Sequence, residues 1–260
     1  MKKQAAYGNE SISSLKGADR VRKRPAVIFG SDGIEGCEHS IFEILSNSID
    51  EAREGYGSRI IVTRYEDQSV EVEDFGRGIP VDYNTKEQRF NWELLFCELY
   101  AGGKYNNDAD ESYEYSLGLN GLGLCSTQYA SEYMDVDIRR DGVQYLLHFE
   151  KGENVGGLKK ESYTKKDTGT RIRWKPDLEV FTDIHVPVEY FLDIIKRQAI
   201  VNDGVTFVFR NQVGNQFETT EFCYQNGIVD HVKEIAGEDA LTSVQFWQTE
   251  RKVRDRDDKD

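Results

Sequence analysis

Apolar residues recur along this chain with two periods, and the switches between them mark out its elements. From Cys37 to Glu54 the period is helical. At about 100° per residue, Ile41, Phe42, Leu45, Ile49 and Ala52 gather in one quadrant, and Glu43, Asn47, Asp50 and Glu51 fall opposite. Arg59 to Tyr65 and Ser69 to Asp74 alternate as strands across Glu66-Asp67-Gln68, which predicts a hairpin. Asn91 to Ala101 reads as a second helix stopped by Gly102-Gly103, and residues 103–116, polar and without period, read as a long surface loop. A glycine-punctuated segment, Gly118 to Gly123, leads into a helix around Leu124 to Ala130. Met134 to Arg140 and Val143 to Phe149 flank Asp141-Gly142, a dipeptide suited to a two-residue hairpin turn. Thr170 to Lys175 predicts a further strand, and Val188 to Ile200 an amphipathic helix behind Pro187. Val205 to Arg210 and Gln216 to Phe222 make a last hairpin around Asn211 to Asn215. The pattern implies an α+β sandwich, an antiparallel or mixed sheet covered on one face by helices. A boundary falls near Cys223 to Gly227. Beyond it a short helix (Ile228 to Ala236), a strand candidate (Ser243 to Gln248) and the charged tail Glu250 to Asp260 are too little for an independent core.

Composition narrows the function classes. At 260 residues and 38% hydrophobic, the chain can bury a core, and its recurring apolar pattern excludes disorder over most of its length. The net charge of −14 repels a phosphate backbone overall, so the chain is not expected to grip nucleic acid by itself. No apolar run approaches the roughly eighteen residues of a membrane span, and Met1 to Ser14 is too polar for a secretory signal, so a soluble, cytoplasmic protein is expected. Cys37, Cys97, Cys125 and Cys223 are scattered and, with His39, His148, His185 and His231, form no zinc spacing; reduced, mostly buried thiols are expected.

Three short elements carry candidate chemistry. On the polar face of the first helix, Glu43 and Asn47 stand one turn apart. That face could simply be solvated, but asparagine is a poor mid-helix residue and its carbonyl is a good ligand for a hard cation such as Mg²⁺, beside which Glu43 could orient or deprotonate a water. The second element is Asp74-Phe75-Gly76-Arg77-Gly78-Ile79-Pro80, directly after a strand. It is either an ordinary turn or one whose backbone approaches a ligand, with the aspartate placed to accept from an amino group. The third, Gly118-Leu119-Asn120-Gly121-Leu122-Gly123, exposes amides at a helix start to an anion. It is not the dinucleotide fingerprint, lacking the downstream acid of a parallel unit, nor a P-loop, lacking Gly-Lys-Ser/Thr.

In this order and spacing the elements resemble the GHKL ATPases. Glu43 to Ala52 looks like the N-box of that family, Asp74 to Pro80 like its adenine-binding turn, and Gly118 to Gly123 like its lid glycines. Arg22-Lys23-Arg24-Pro25, Gly76 to Pro80, Ala101-Gly102-Gly103-Lys104-Tyr105, Thr168-Gly169-Thr170 and Trp174-Lys175-Pro176 are similar to the B subunits of bacterial type II topoisomerases, DNA gyrase and topoisomerase IV. The resemblance covers roughly residues 7–248. It implies a two-layer α/β sandwich of the GHKL (Bergerat) type, with a mixed, mostly antiparallel sheet and helices on one face. It also implies an N-terminal arm (1–14), an ATPase domain (15–222) and the beginning of a transducer domain (223–260).

The roles it implies are specific. Glu43 is the general base, Asn47 the side-chain ligand of Mg²⁺, and Asp74 the partner of the adenine amino group, with Thr170 sharing a bridging water. Gly102, Gly103 and Lys104 belong to a mobile lid, and the amides around Leu119, Asn120, Gly121, Leu122 and Gly123 wrap the phosphates. Glu51 and Arg77 form an ion pair at the pocket mouth, Gly78, Ile79 and Pro80 continue the turn, and Arg140 edges the adenine pocket. Tyr7 reaches into a second copy of the chain when ATP binds. The A subunit and DNA are engaged through regions outside this chain, and no membrane is involved. The γ-phosphate lysine of the transducer lies beyond Asp260, so weak turnover by this chain alone is expected. Departures from the family pattern are Ser46, Phe75, Tyr100, Asn120 and the run Ala26 to Gly30; none removes Glu43, Asn47, Asp74 or the lid glycines. Alternatives are a chaperone or mismatch-repair clamp of the same family, which the Arg22 to Pro25 and Ala101 to Tyr105 segments oppose, and a nucleotide-binding regulator without turnover. His39 reads as a packed or capping residue. Tyr100, Tyr105, Tyr113 and Tyr115, among the acids Asp108, Asp110, Glu111 and Glu114, read as lid packing rather than base stacking.

Overall fold

The two periods of the sequence separate into two layers. The structure, a computed structural model, describes residues 14–101, 121–238, 240–247 and 249. In chain order the elements are helices α1 (Asp19–Arg22), α2 (Pro25–Phe29) and α3 (Ile34–Arg53), then strands β1 (Arg59–Arg64), β2 (Val70–Asp74), β3 (Tyr83–Asn84) and β4 (Arg89–Phe90). Helices α4 (Asn91–Cys97) and α5 (Gly123–Tyr129) precede strands β5 (Ser131–Arg140), β6 (Val143–Glu150), β7 (Glu153–Asn154), β8 (Lys159–Ser162) and β9 (Gly169–Pro176). Helix α6 (Val188–Val201), strands β10 (Thr206–Val213) and β11 (Gln216–Phe222), and helix α7 (Ile228–Ala236) complete the described chain.

Among the described residues one sheet runs in the order β11-β10-β1-β2-β9-β5-β6-β7, with β8 also on β6 and β3-β4 apart as a small hairpin. Every pairing in the large sheet is antiparallel except β1 with β10, which sets Arg59 beside Thr206. One row of side chains per strand faces the helices: Ile60 and Val62, Val70 and Val72, Ile172 and Trp174, Met134, Val136 and Ile138, all nearly inaccessible. They pack against Ile41, Leu45 and Ile49 of α3 and Phe191 and Ile195 of α6 in a single cluster. The opposite row carries charge, for example Glu71, Glu73, Arg171, Arg173 and Asp135. Helices therefore cover one face, as the alternation predicts.

The hairpins form as expected. At the β5–β6 turn both Asp141 (φ 53°) and Gly142 (φ 75°) lie in the left-handed region that this tight turn requires. Several expectations fail for tertiary reasons. Helix α3 begins at Ile34, not Cys37, because Gly36 is no breaker there: a Cβ on it would lie 2.1 Å from the Ser31 carbonyl oxygen, so only glycine fits. Asp50, expected on the open polar face, is 5% exposed, because α3 is wedged between the sheet and helices α2 and α5. The second helix stops at Cys97 rather than Ala101. Tyr129 Oη donates to the Cys97 carbonyl, and Glu98, in extended conformation, pairs with Arg89 at 2.6 Å. Strand β10 runs through the expected turn to Val213, since Asn211 sits opposite Glu218 and accepts from Arg64 Nη1 at 3.3 Å. Residues 243–247 form no strand; Phe246 and Trp247 are 57% and 84% exposed, and no neighbouring strand pairs with them among the described residues. Helices α1 and α2 and the short strands β3, β4, β7 and β8 carry no period long enough to predict them. The expected loop 103–116 lies outside the described residues, as does Tyr7. Cys37 and Cys125 are buried free thiols, while Cys97 and Cys223 are partly accessible.

Candidate active site

A pocket of about 330 Å³ opens between α3 and the sheet, and nine of the predicted residues, Asn47, Glu51, Asp74, Arg77, Gly78, Ile79, Pro80, Arg140 and Thr170, line it. Its apolar walls are Ile44 from α3, Val72 from β2, Ile172 from β9, and Ile79 and Pro80 from the turn after β2. Polar groups enter at two levels. Ser48, Asp74 and Thr170 lie deep, each under a tenth exposed, and Asn47, Glu51, Arg77, Gly78 and Arg140 also line it. An apolar-walled pocket with a buried carboxylate suits an apolar body that carries a hydrogen-bond donor.

Asp74 is the last residue of β2, where the inward row of the strand meets the turn. Its Oδ1 accepts the amides of Gly76 and Thr170, both at 3.1 Å, and its Oδ2 accepts Ser48 Oγ–H at 2.9 Å. Burial pushes its carboxyl above the usual carboxylate range, against the hydrogen bonds from Gly76, Ser48 and Thr170. Glycines make the close contacts possible. A Cβ on Gly169 (φ 144°) would lie 2.1 Å from the Asp74 carbonyl oxygen, and one on Gly78 (φ 78°) 2.8 Å from that of Arg139. Thr170 Oγ1 accepts the Ile79 amide at 3.2 Å, which leaves its hydroxyl hydrogen to donate elsewhere.

The expected Glu51–Arg77 pair forms at the mouth. Arg77 Nε and Nη2 reach the two Glu51 oxygens at 2.8 and 2.9 Å, and the Arg77 amide adds a third bond at 2.8 Å. Glu54 also takes Arg77 Nη2, and the Tyr56 ring centroid lies 3.7 Å from the guanidinium carbon. Burial alone would raise Glu51, but the hydrogen bonds and charge of Arg77 hold it below the ordinary range. Arg140 is partly committed, donating through Nη1 to the Gly78 carbonyl at 2.7 Å.

One turn along α3 from Asn47, Glu43 meets the start of α5. A Cβ on Gly123 would lie 2.0 Å from Glu43 Oε2, so glycine is what lets this helix start approach the carboxylate. Leu122 precedes α5 without a side-chain cap bond and Gly121 has φ 57°; Gly102, Gly103, Lys104, Leu119 and Asn120 lie outside the described residues. Sequence patterning misses two side chains. His39 Nε2 lies 2.9 Å from Glu43 Oε1 while its ring packs edge-on against Phe29, so it is more than a packed residue; the His39/Glu43 spacing of four on a helix was the available signal. Ser48 was invisible as a site residue, since its role depends on a strand far along the chain.

The residues present fit a Mg²⁺ ion. Asn47 Nδ2 donates to the Glu43 carbonyl at 3.1 Å, which leaves the side-chain oxygen as its uncommitted ligand atom. Among the described residues no group of three or more His, Cys, Asp or Glu could hold a metal, so an ion here would rely on phosphate and water oxygens besides Asn47.

The family described as histidine kinase-, DNA gyrase B-, and HSP90-like ATPase matches residues 34–180, from the start of α3 past β9. The chain is 37% identical over 255 residues to the B subunit of DNA gyrase from Thermotoga maritima, and 35% identical over 243 residues to the B subunit of DNA topoisomerase 4 from Enterococcus faecalis. These alignments cover 98% and 93% of this chain but only 39% and 35% of the two relatives. The 43K ATPase domain of Thermus thermophilus gyrase B, solved in complex with an aminocoumarin, superposes with a TM-score of 0.72 at 30% identity, over 86% of this chain and 56% of that one. With the matched stretch spanning the pocket, the chain belongs to the histidine kinase-, DNA gyrase B- and HSP90-like ATPase family.

Proposed function

We propose that this chain is the ATP-binding and ATP-hydrolysing, ATP-gated dimerisation part of a type II DNA topoisomerase, in its B subunit, driving strand passage in the full enzyme. The observation that carries the reading is the Asp74 carboxylate, held by three hydrogen bonds at the base of an apolar slot, with Asn47 and Glu43 ranged above it along α3. Asp74 accepts the adenine amino group, and Thr170 shares a water with it. Ile79, Pro80 and Ile172 sandwich the ring and exclude solvent. Asn47 holds Mg²⁺, which when bound neutralises phosphate charge. Glu43 accepts the proton of the attacking water, with its carboxylate turned by His39 and packed against Gly123. The amides from Leu119 to Gly123 and the Gly102 to Lys104 segment serve the phosphates. Such a site needs mostly positioning and aimed dipoles, because phosphoryl transfer to water asks for little covalent help.

Beyond the pocket, residues 15–222 form the ATPase domain and residues from 223 begin a transducer. Residues 1–14 form an arm by which Tyr7 reaches a second copy. The A subunit and DNA are engaged elsewhere in the full enzyme, in the cytoplasm. The paired Glu43 and Gly123 favour turnover over a purely regulatory role, since a regulator needs no oriented base.

A calorimetric titration with Mg²⁺ and a non-hydrolysable ATP analogue tests the site. Saturable binding is expected for the wild type, and Asp74→Ala weakens it at least about tenfold, the worth of a charge-assisted hydrogen bond. In the full-length protein Glu43→Ala keeps binding and loses hydrolysis. Wild-type hydrolysis that survives this change, or binding indifferent to Asp74, would refute the assignment.

A further inference from the structure

Helix α3 uses its serines in two ways. Ser40 Oγ donates to the Cys37 carbonyl at 2.7 Å and Ser46 Oγ to the Glu43 carbonyl at 2.9 Å, the ordinary retreat of a mid-helix hydroxyl into its own backbone. Ser48, 6% exposed, instead crosses to β2 and donates to Asp74 Oδ2 at 2.9 Å. Direction is fixed by chemistry: an ionised carboxylate only accepts, so the single hydroxyl hydrogen of Ser48 points to Asp74. What Ser48 Oγ and Asp74 Oδ2 then offer the pocket they both line is acceptors alone. An exocyclic amino group, which donates, matches that face; an oxo group in the same place brings lone pairs against lone pairs, an unpaired contact that a buried site rejects strongly.

Resting on the reading of this pocket as a purine nucleotide site, we infer that Ser48 is a positioning residue for base choice: it locks the Asp74 carboxylate as an acceptor and thereby selects 6-aminopurine over 6-oxopurine nucleotides. Without it, Oδ2 loses the one donor it has among the described residues. The carboxyl can then turn or take up a proton, and in the protonated form it donates to an oxo group.

The test is calorimetric binding of adenosine diphosphate and inosine diphosphate, each with Mg²⁺, to the wild type, Ser48→Ala, Ser48→Cys and Ser48→Thr. The wild type is expected to prefer the adenine nucleotide at least about tenfold, the scale of a charge-assisted hydrogen bond. Ser48→Ala weakens adenosine diphosphate about tenfold and inosine diphosphate less than about twofold, so the preference collapses. Ser48→Cys, nearly isosteric and a weak donor, behaves the same way, which keeps the test standing should the alanine variant fold poorly. Ser48→Thr, which restores the hydroxyl, restores the preference. A role in packing alone would lower both nucleotides together and leave their ratio unchanged, and that result overturns the inference. So does a wild type that binds both nucleotides equally. A wild type that binds neither overturns the reading of the pocket itself, and is thereby distinguishable.

Discussion

The surroundings of Asp74 disfavour its charge, because burial outweighs the hydrogen bonds it accepts from Gly76, Ser48 and Thr170. Burial pushes its carboxyl above the ordinary range. A group raised in this way stabilises the fold only when protonated, below the unfolded value near ~3.9, and that contribution is lost as pH rises through its folded value. The neutral isostere should therefore help the unliganded protein at neutral pH and not in acid. Asp74→Asn is expected to melt no lower than wild type at pH 7, with its advantage vanishing toward pH 4, while nucleotide binding is lost; a melting temperature clearly below wild type at pH 7 would contradict this. Gly123 makes the opposite kind of demand, space rather than charge. In Gly123→Ala the new methyl displaces the end of the Glu43 side chain, 2.0 Å away, and a shift of that size costs on the order of a hundredfold in rate. Hydrolysis by the full-length protein should fall that far, with analogue affinity changed only a few-fold. At this scale Glu43, Asn47 and Asp74 were legible because each sits in a short local pattern. Ser48 was not, because a buried serine on a helix looks the same whether it bonds its own turn or a carboxylate across the layer.

Elements followed their periods and departed from them where another part of the chain intervened. Helix α4 ends early because Tyr129, from α5, takes the last carbonyl, and β10 overruns its expected turn because β1 and β11 flank it on both sides. The strand pair β2–β9 depends on a backbone approach that only glycine permits. Gly169→Ala combines a left-handed φ of 144° with a Cβ 2.1 Å from the Asp74 carbonyl oxygen. We expect it to destabilise the domain by about 2 kcal/mol or more, and to displace Asp74 as well, read as a lower denaturant midpoint and weakened nucleotide binding together. A loss of binding without a shift in midpoint would show that this contact matters to the site but not to the strand pair.

Across the whole molecule, Arg22 ties the first helix to the end of α5, the start of β5 and the segment after β9. Its Nη2 meets Asp177 at 2.6 Å and Glu179 at 3.1 Å, and its Nη1 donates to the carbonyls of Tyr129 and Ser131. Arg22 and Asp177 side chains are 13% and 6% exposed, so removing one leaves the other's charge buried without its closest counter-charge. Arg22→Ala should cost about 3 kcal/mol in urea unfolding, and Asp177→Asn in the same background should cost much less than it does alone. Additive losses would mean the two do not act as a pair.

The sequence by itself determined the helix and strand periods, the tight Asp141-Gly142 turn, the order of three elements that resemble a nucleotide site, and the placement of Glu43 and Asn47 one helical turn apart. Each of these is local: a period or a turn residue acts through neighbours within a few positions, so it leaves a trace in the order of residues. Only the tertiary structure decided that β1 lies parallel to β10, that Gly123 comes up against Glu43, that Arg77 is clasped by Glu54 and Tyr56 as well as Glu51, and that Ser48 reaches Asp74. Those contacts join segments distant along the chain, or depend on which of several partners a side chain finds. They are settled by packing α3 against the sheet, and no spacing along the chain records the outcome.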